Sequence, residues 1–416
     1  MCGFLPIAKA RGLRRTTFDD MRRIIFLLLL DVLISGAVAA WLYFTRGIDA
    51  AFMTGLSIFV AFSPICLVLA SPFTLYLAGR KIAELGVKFN NPDALKTLAE
   101  VNVVGLPYNR VLTGGEYYIT DLVPEGLNQP TLLAMAAGAE RDAENILGRM
   151  IYDTAVYRAL RMQPSTNFRE LPGRGVETTV SGVVVRVGNP LWLESQGVSM
   201  SAKLRTKIDQ LLVKGKTVLL VGTGRVARGI IALKDELNED AKKFLGELKR
   251  NNLETLLLTA QPKKMTNYFT KEFALDNVRT NLTPEGKARE VQIFRAKGKL
   301  VAVIGNDTHD LPALTSADVS FLLAGGSLNP AEINDFKADF EIPTLESFSP
   351  VREIALKVVK VLNLNRRIAL LSWIVLVPPA VASALENPPI PFHPLAAVAG
   401  VAIFSAIILA NSLRTR

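Results

Sequence analysis

The chain has 416 residues, half of them apolar and 21% charged, with 48 lysines and arginines against 38 acids. A mean hydropathy of +0.28 excludes a disordered chain, since apolar surface on this scale offsets chain entropy, and it puts part of the chain in lipid. The cysteines, Cys2 and Cys66, are too few for a disulfide framework or a cysteine-built metal cluster, and the net charge of +10 comes without a basic stripe interleaved with aromatics, which argues against a nucleic-acid partner.

In chain order, a basic stretch (Lys9, Arg11, Arg14, Arg15, Arg22, Arg23) leads into an apolar run from Ile24 to Phe44 interrupted only by Asp31. That run meets the roughly 20 residues a spanning helix needs and is too long for a signal-peptide core. Ala50 to Ala78 is a second, uncharged run, and its Ser63-Pro64 and Ser71-Pro72 predict a kinked helix, because proline removes a backbone hydrogen bond. Two further runs, Ile368 to Leu385 and Pro394 to Asn411, close the chain around a short proline-rich loop. Basic residues gather at the N-terminus, at Arg80, Lys81 and Lys88, from Arg352 to Arg367, and at Arg414 and Arg416, while the hairpin loops hold only Arg46. The positive-inside rule then predicts a multi-pass cell-membrane protein with both termini and the large domain in the cytoplasm.

Between the membrane pairs, short β-rich runs alternate with amphipathic segments, the pattern of a parallel sheet wrapped by helices. The expected strands are Val101 to Leu106, Thr217 to Gly222, Leu253 to Thr259, Leu300 to Gly305 and Asp318 to Leu323; Glu239 to Lys249 and Pro284 to Ala296 are helices between them. The long gap after the first strand holds a helical piece, Gln129 to Arg161, and a β-rich piece, Glu177 to Val187. It reads as a second domain inserted into a doubly wound one. Ligands of such sheets sit beyond the carboxyl ends of the strands.

At those strand ends the chain resembles the heavy-metal (copper- and zinc-type) P-type ATPases, over nearly its whole length but only their C-terminal half. The residues that carry this are Gly79-Arg80-Lys81-Ile82-Ala83-Glu84-Leu85-Gly86-Val87, then Gly305-Asn306-Asp307-Thr308-His309-Asp310-Leu311-Pro312-Ala313-Leu314, similar to Gly-Asp-Gly-x-Asn-Asp-Ala-Pro-Ala-Leu, and the ending Asn411-Ser412-Leu413-Arg414. The resemblance implies an α/β fold plus four transmembrane helices: a haloacid-dehalogenase-like phosphorylation domain (80–125 and 215–365) split by an α+β nucleotide-binding-like domain (126–214), with helix pairs at 24–79 and 366–416 after a basic segment 1–23.

It also implies where chemistry would lie. The phosphorylated Asp of the family's Asp-Lys-Thr-Gly-Thr falls on Pro107, its Thr-Gly-Asp on Thr259-Ala260-Gln261, and its first magnesium-holding acid on Asn306; Thr259, Lys287 and Asp310 are retained. Proline offers neither a nucleophile nor a metal ligand. For a nucleotide the resemblance offers Glu144, Gly173, Gly175 and Asn189, with Asn145-Ile146 in place of a His-Pro pair, and for metal Ser63-Pro64-Ile65 in place of Cys-Pro-Cys, leaving Cys66 one residue beyond. ATP is thus a weak cofactor candidate, and magnesium and a bound metal are not expected. The family's actuator domain has no counterpart in the sequence.

Taken together, these positions lead to the expectation of a chain that is not an enzyme and acts by binding, as scaffold, assembly factor or regulator of a membrane complex, with the bilayer and another membrane protein as partners. The other readings are an accessory subunit of a heavy-metal transporter working with a separate catalytic or actuator chain, and an ATP-binding sensor. His309 reads as a substituted loop residue, His393 as a solvated one, Cys66 as a small apolar residue and Asp235 as a helix cap. Asp31 should face the bundle or water, with a partner hydroxyl or a functional role.

Overall fold

A computed structural model of the chain describes residues 17–109, 111–171, 173–327, 336–385 and 392–415. Cys2, the basic residues Lys9 to Arg15 and most of the final hairpin loop fall outside the described residues. Among the described residues, four helical stretches are long and apolar enough to cross a membrane: Ile24–Arg46, Ile48–Glu84, Leu345–Ala382 and Pro394–Thr415.

The first is a single helix, α1 (Thr17–Arg46). The second is broken as its prolines dictate, into α2 (Ile48–Phe62), α3 (Ile65–Ala70) and α4 (Pro72–Glu84), with Pro64 at the N-cap of α3 and Pro72 at the first position of α4. The third differs from the expected span. It is part of one continuous helix, Phe348–Ala382, that begins in the large α/β domain. Phe348, Val351, Ile354, Ala355 and Val358 recur at helical spacing and belong to the core of the parallel sheet, and beyond Arg367 the helix turns apolar on all sides. The last helix is Pro394–Ser412; His393 is exposed, as expected, and also serves as its N-cap, Nδ1 accepting from Leu395 N at 3.2 Å.

The strands are β1 (Lys88–Phe89), β2 (Val103–Pro107), β3 (Thr113–Pro124), β4 (Ser165–Leu171), β5 (Gly175–Val180), β6 (Val183–Gly188), β7 (Thr217–Thr223), β8 (Val226–Leu237), β9 (Glu254–Leu258), β10 (Asn277–Arg279), β11 (Val301–Asp307), β12 (Val319–Ser327) and β13 (Phe340–Ile342). One sheet runs β1-β13-β12-β11-β2-β9-β10, parallel except for the β1 edge. Its strands are near-continuous apolar runs because helices cover both faces. The other sheet, β3-β8-β7-β6-β5-β4, is antiparallel.

β7, expected in the parallel sheet, lies in this second sheet instead. Gly224 takes φ +59° and folds β7 directly back onto β8, with Thr223 paired to Val226. The inserted unit therefore reaches from β3 to β8, wider than 126–214. The helical piece between them splits into Gln129–Ala139 and Ile146–Tyr157, because Asn128 and Asn145 each cap a new start, the latter accepting from Gly148 N at 2.7 Å.

Candidate functional site

The carboxyl ends of β2, β9 and β11 lie side by side. β2 pairs with β9 through Pro107 and Leu258, so Pro107 neighbours the strand that ends one residue before Thr259. On its other side β2 pairs with β11 through Gly105 and Val303, which sets Pro107 level with Gly305 and next to Asn306. Pro107 is buried. The residue after it, Tyr108, turns away from the strand ends into the core, edge-on to Phe269 at 4.8 Å between ring centroids. Burial pushes its phenol well above the ordinary range, so it stays protonated.

Asn306 is also buried. Its Nδ2 donates to Asn109 O at 2.9 Å, fastening the loop after β2 to the end of β11. Asn306 N donates to Asp310 Oδ2 at 3.3 Å, and Lys287 Nζ meets Asp310 Oδ1 at 2.7 Å. This Lys287–Asp310 pair is the only charged contact at these strand ends among the described residues, and it joins the helix Pro284–Ala296 to the turn after β11. Thr259 Oγ1 accepts from Gln261 N at 3.1 Å, closing the turn after β9 on itself. His309 sits in a single 3₁₀ turn where its backbone N donates to Asp307 Oδ1 at 3.2 Å. The structure thus groups Asn306, Lys287 and Asp310 directly and places Pro107 and Thr259 on the adjoining strand ends.

Asn109 lies in the segment that the sequence places at this strand end, whereas Asp235 is a residue that sequence reasoning did not assign to the region. Asp235 is not a helix cap. It lies in β8, and its Oδ1 accepts from Gly115 N at 2.9 Å across to β3, while burial raises its pKa against the hydrogen bonds that lower it. Its neighbour Tyr117 donates to Asn109 Oδ1 at 3.4 Å, so the two domains meet through this polar seam.

The nucleotide-binding candidates gather at one end of β4, β5 and β6. Asn189 N donates to Arg174 O at 2.7 Å, and Gly175 pairs with Gly188, so Gly173, Gly175 and Asn189 form one corner. Gly175 is required there: its φ is +141° and a Cβ would lie 2.2 Å from Val187 O. Asn189 Oδ1 is taken by Leu191 N as a helix cap. Glu144 is exposed, its backbone N donating to Glu170 Oε2 at 3.2 Å, with Asn145 Nδ2 on Glu170 Oε1 at 3.0 Å. Glu140, which the sequence did not single out, is buried beneath them with Oε2 unpartnered; burial, and then the charge of Glu170, push its carboxyl up to about 8. Nothing in the spacing of Glu140 and Glu170 along the chain signals that they converge.

In the bundle, Ser63 presents its backbone oxygen to Trp373, whose Nε1 donates at 3.2 Å while the indole stacks on Phe62 at 5.1 Å. Cys66 is buried, with Sγ 3.5 Å from Ser405 Oγ and 3.8 Å from Val401 O, and Ile65 faces outward. Among the described residues no group of three or more His, Cys, Asp or Glu side chains converges as for a metal ion.

Residues 111–318, half of the chain, match the model of the haloacid dehalogenase-like hydrolases, and the chain belongs to that family. Within it, the chain is related to the heavy-metal P-type ATPases. It is 28% identical over 91% of its length to Copper-transporting ATPase 1 of Rhizobium meliloti (strain 1021), of which it covers 46%. It is 30% identical over 88% of its length to the probable copper-exporting P-type ATPase of Archaeoglobus fulgidus, of which it covers 45%. The crystal structure of a zinc-transporting PIB-type ATPase in the E2.Pi state shares the fold, with a TM-score of 0.68 at 24% identity over 98% of this chain and 66% of that one. The chain spans about half the length of the curated relatives it matches. These relatives overturn the expectation of a chain that is no enzyme: the family model is that of a hydrolase, and the curated relatives are ATPases, which are enzymes.

Proposed function

We propose that the chain serves a heavy-metal P-type ATPase-related membrane assembly through binding, as a regulator or assembly factor whose cytoplasmic domain and helix bundle move as one. The observation that carries this reading is the helix Phe348–Ala382, which is shared by the sheet core and the membrane bundle. It is joined by the closed strand ends, where Asn306 and the Lys287–Asp310 pair tie the loops to one another. The basic residues flanking the spans favour an orientation with the large domain in the cytoplasm.

Affinity purification of the full chain from native membranes, followed by cross-linking, tests this. The reading expects a stoichiometric membrane partner cross-linked to the bundle or the sheet domain, with the complex unchanged by Pro107→Ala. Recovery of the chain free of any partner, or a complex lost on Pro107→Ala, sinks it. ATP enters this reading only as a ligand of the corner at Gly173, Gly175 and Asn189, and calorimetry with Gly175→Asp as control decides whether it binds.

A further inference from the structure

Within α1 only Asp31, Ser35 and Leu42 are buried among the described side chains, and they recur at helical spacing as one stripe. That stripe faces α2. The closest approach falls at Gly55, where a Cβ would lie 2.7 Å from Ala39 Cβ and 3.7 Å from Ser35 O. In this antiparallel pair, Asp31 lies on the side of the closest approach that leads toward the end of α2 and the break at Ser63-Pro64. At 1.5 Å per residue from Ile24, it is about 10 Å inside the apolar span.

Asp31 is fully buried, and neither Oδ1 nor Oδ2 has a hydrogen-bond partner. Its nearest hydroxyl in sequence, Ser35, is turned to the backbone, donating to Asp31 O at 2.7 Å. The Ser57 hydroxyl is likewise spent on Met53 O at 2.8 Å and Phe392 O at 3.2 Å. Among the described residues no ion pair reaches the carboxyl. The titratable side chains described on the surrounding elements are Arg22 of α1, more than two turns away, Tyr43 of α1, three turns away, Asp49 in the first turn of α2, at the far end of the seam beside Arg46, Cys66 of α3, turned to Ser405, and Tyr76, Arg80, Lys81 and Glu84 of α4. An unpaired carboxylate in such surroundings is far costlier than a neutral carboxyl group.

We propose that Asp31 is a proton-exchange site within the membrane bundle: the closed α1–α2 seam holds it as the neutral acid, and opening the seam to water releases the proton and leaves the carboxylate. The ligand is a proton, and the O–H bond that breaks on opening re-forms on closing. The site is independent of any chemistry at the strand ends of the large domain.

The test uses the full chain reconstituted in lipid vesicles. Dicyclohexylcarbodiimide, which attacks protonated carboxyl groups in apolar surroundings, is expected to modify the peptide carrying Asp31 at neutral pH, as located by mass spectrometry, and to leave Asp31→Asn unmodified there. In infrared spectra of a Glu140→Gln background, which removes the other carboxyl held neutral at this pH, the stretch of a protonated carboxyl should be present, should be missing once Asp31→Asn is added, and should shift when water is replaced by heavy water. If the Asn variant does not fold, the wild-type adduct and the band of the Glu140→Gln background still decide. An Asp31 peptide that stays unmodified at neutral pH, or a band that never exchanges with heavy water, overturns the proposal.

Discussion

Breaking the Lys287–Asp310 pair should cost far more than a surface ion pair would. The side chains are only 11% and 5% exposed, and Nζ and Oδ1 are 2.7 Å apart. At an effective dielectric of about 20, the attraction at that distance is on the order of 6 kcal/mol before desolvation. Exposed pairs contribute about 0–1 kcal/mol, whereas removing one partner of a buried pair typically costs about 3–5 kcal/mol, because the other charge is left without compensation. Lys287→Met strands Asp310, and Asp310→Asn strands Lys287. Each variant should lose about 3–5 kcal/mol of local stability, and the double variant should lose clearly less than the sum, since it leaves no orphan charge. The assay is hydrogen–deuterium exchange of the peptide Val301–Asp307 in rising urea, with the β6 peptide of the other sheet as an internal reference. Single variants within about 1 kcal/mol of wild type, or strictly additive losses, would refute the reasoning.

Glu140 should make the inserted domain less stable as pH rises. Its carboxyl titrates near 4.5 when unfolded and near 8 when folded, so between those values the folded state holds more protons and stability falls with pH, levelling off above about 8. Glu140→Gln should flatten that slope in pH-dependent thermal unfolding. Gly175→Ala should destabilise the β5–β6 region by about 1–3 kcal/mol or more through its clash with Val187 O. Gly246→Ala, on an open helix position, should instead stabilise its helix by about 0.5–1 kcal/mol, and comparing the two by thermal unfolding checks the signs. Trp373→Phe retains an aromatic ring to pack on Phe62 but frees Ser63 O, at a cost of about 0.5–1.5 kcal/mol. In a Cys2→Ser background it should speed alkylation of Cys66 by a membrane-permeant maleimide, and an unchanged rate would show that the indole does not hold the break closed.

The membrane segments were legible because hydropathy and proline act locally. The breaks after Phe62 and Ala70 fall where Pro64 and Pro72 demand them. The strands of the parallel sheet were legible as short apolar runs, yet Thr217–Thr223 has the same look and joins the other sheet, because pairing is decided by the hairpin at Gly224 and not by composition. The helix Phe348–Ala382 was read only from its apolar half, since its first turns are amphipathic and owe their order to packing on Phe244, Phe321 and Phe340. At the strand ends, the positions of Lys287 and Asp310 could be found by resemblance, but that they pair is a fact of distance. Asp235 misled for a similar reason: an acid ahead of a helix looks like a cap, while its partner, Gly115 N, lies far off in sequence. Burial without partners, as at Asp31, or with one oxygen left over, as at Glu140, leaves no trace in a linear pattern.

The helix Phe348–Ala382 has one further mechanical consequence. At 1.5 Å per residue its 35 residues form a rod about 50 Å long. Near its middle, Asn365 donates to Ser412 Oγ at 2.9 Å and accepts from Asn411 Nδ2 at 2.8 Å, while Thr74 Oγ1 and Ser412 Oγ lie 2.9 Å apart. A knot at that place would serve a stiff rod as a fulcrum, so that a tilt imposed on the Phe348 end would be returned in the opposite sense beyond it, as far as Pro378 and Pro379 inside the helix.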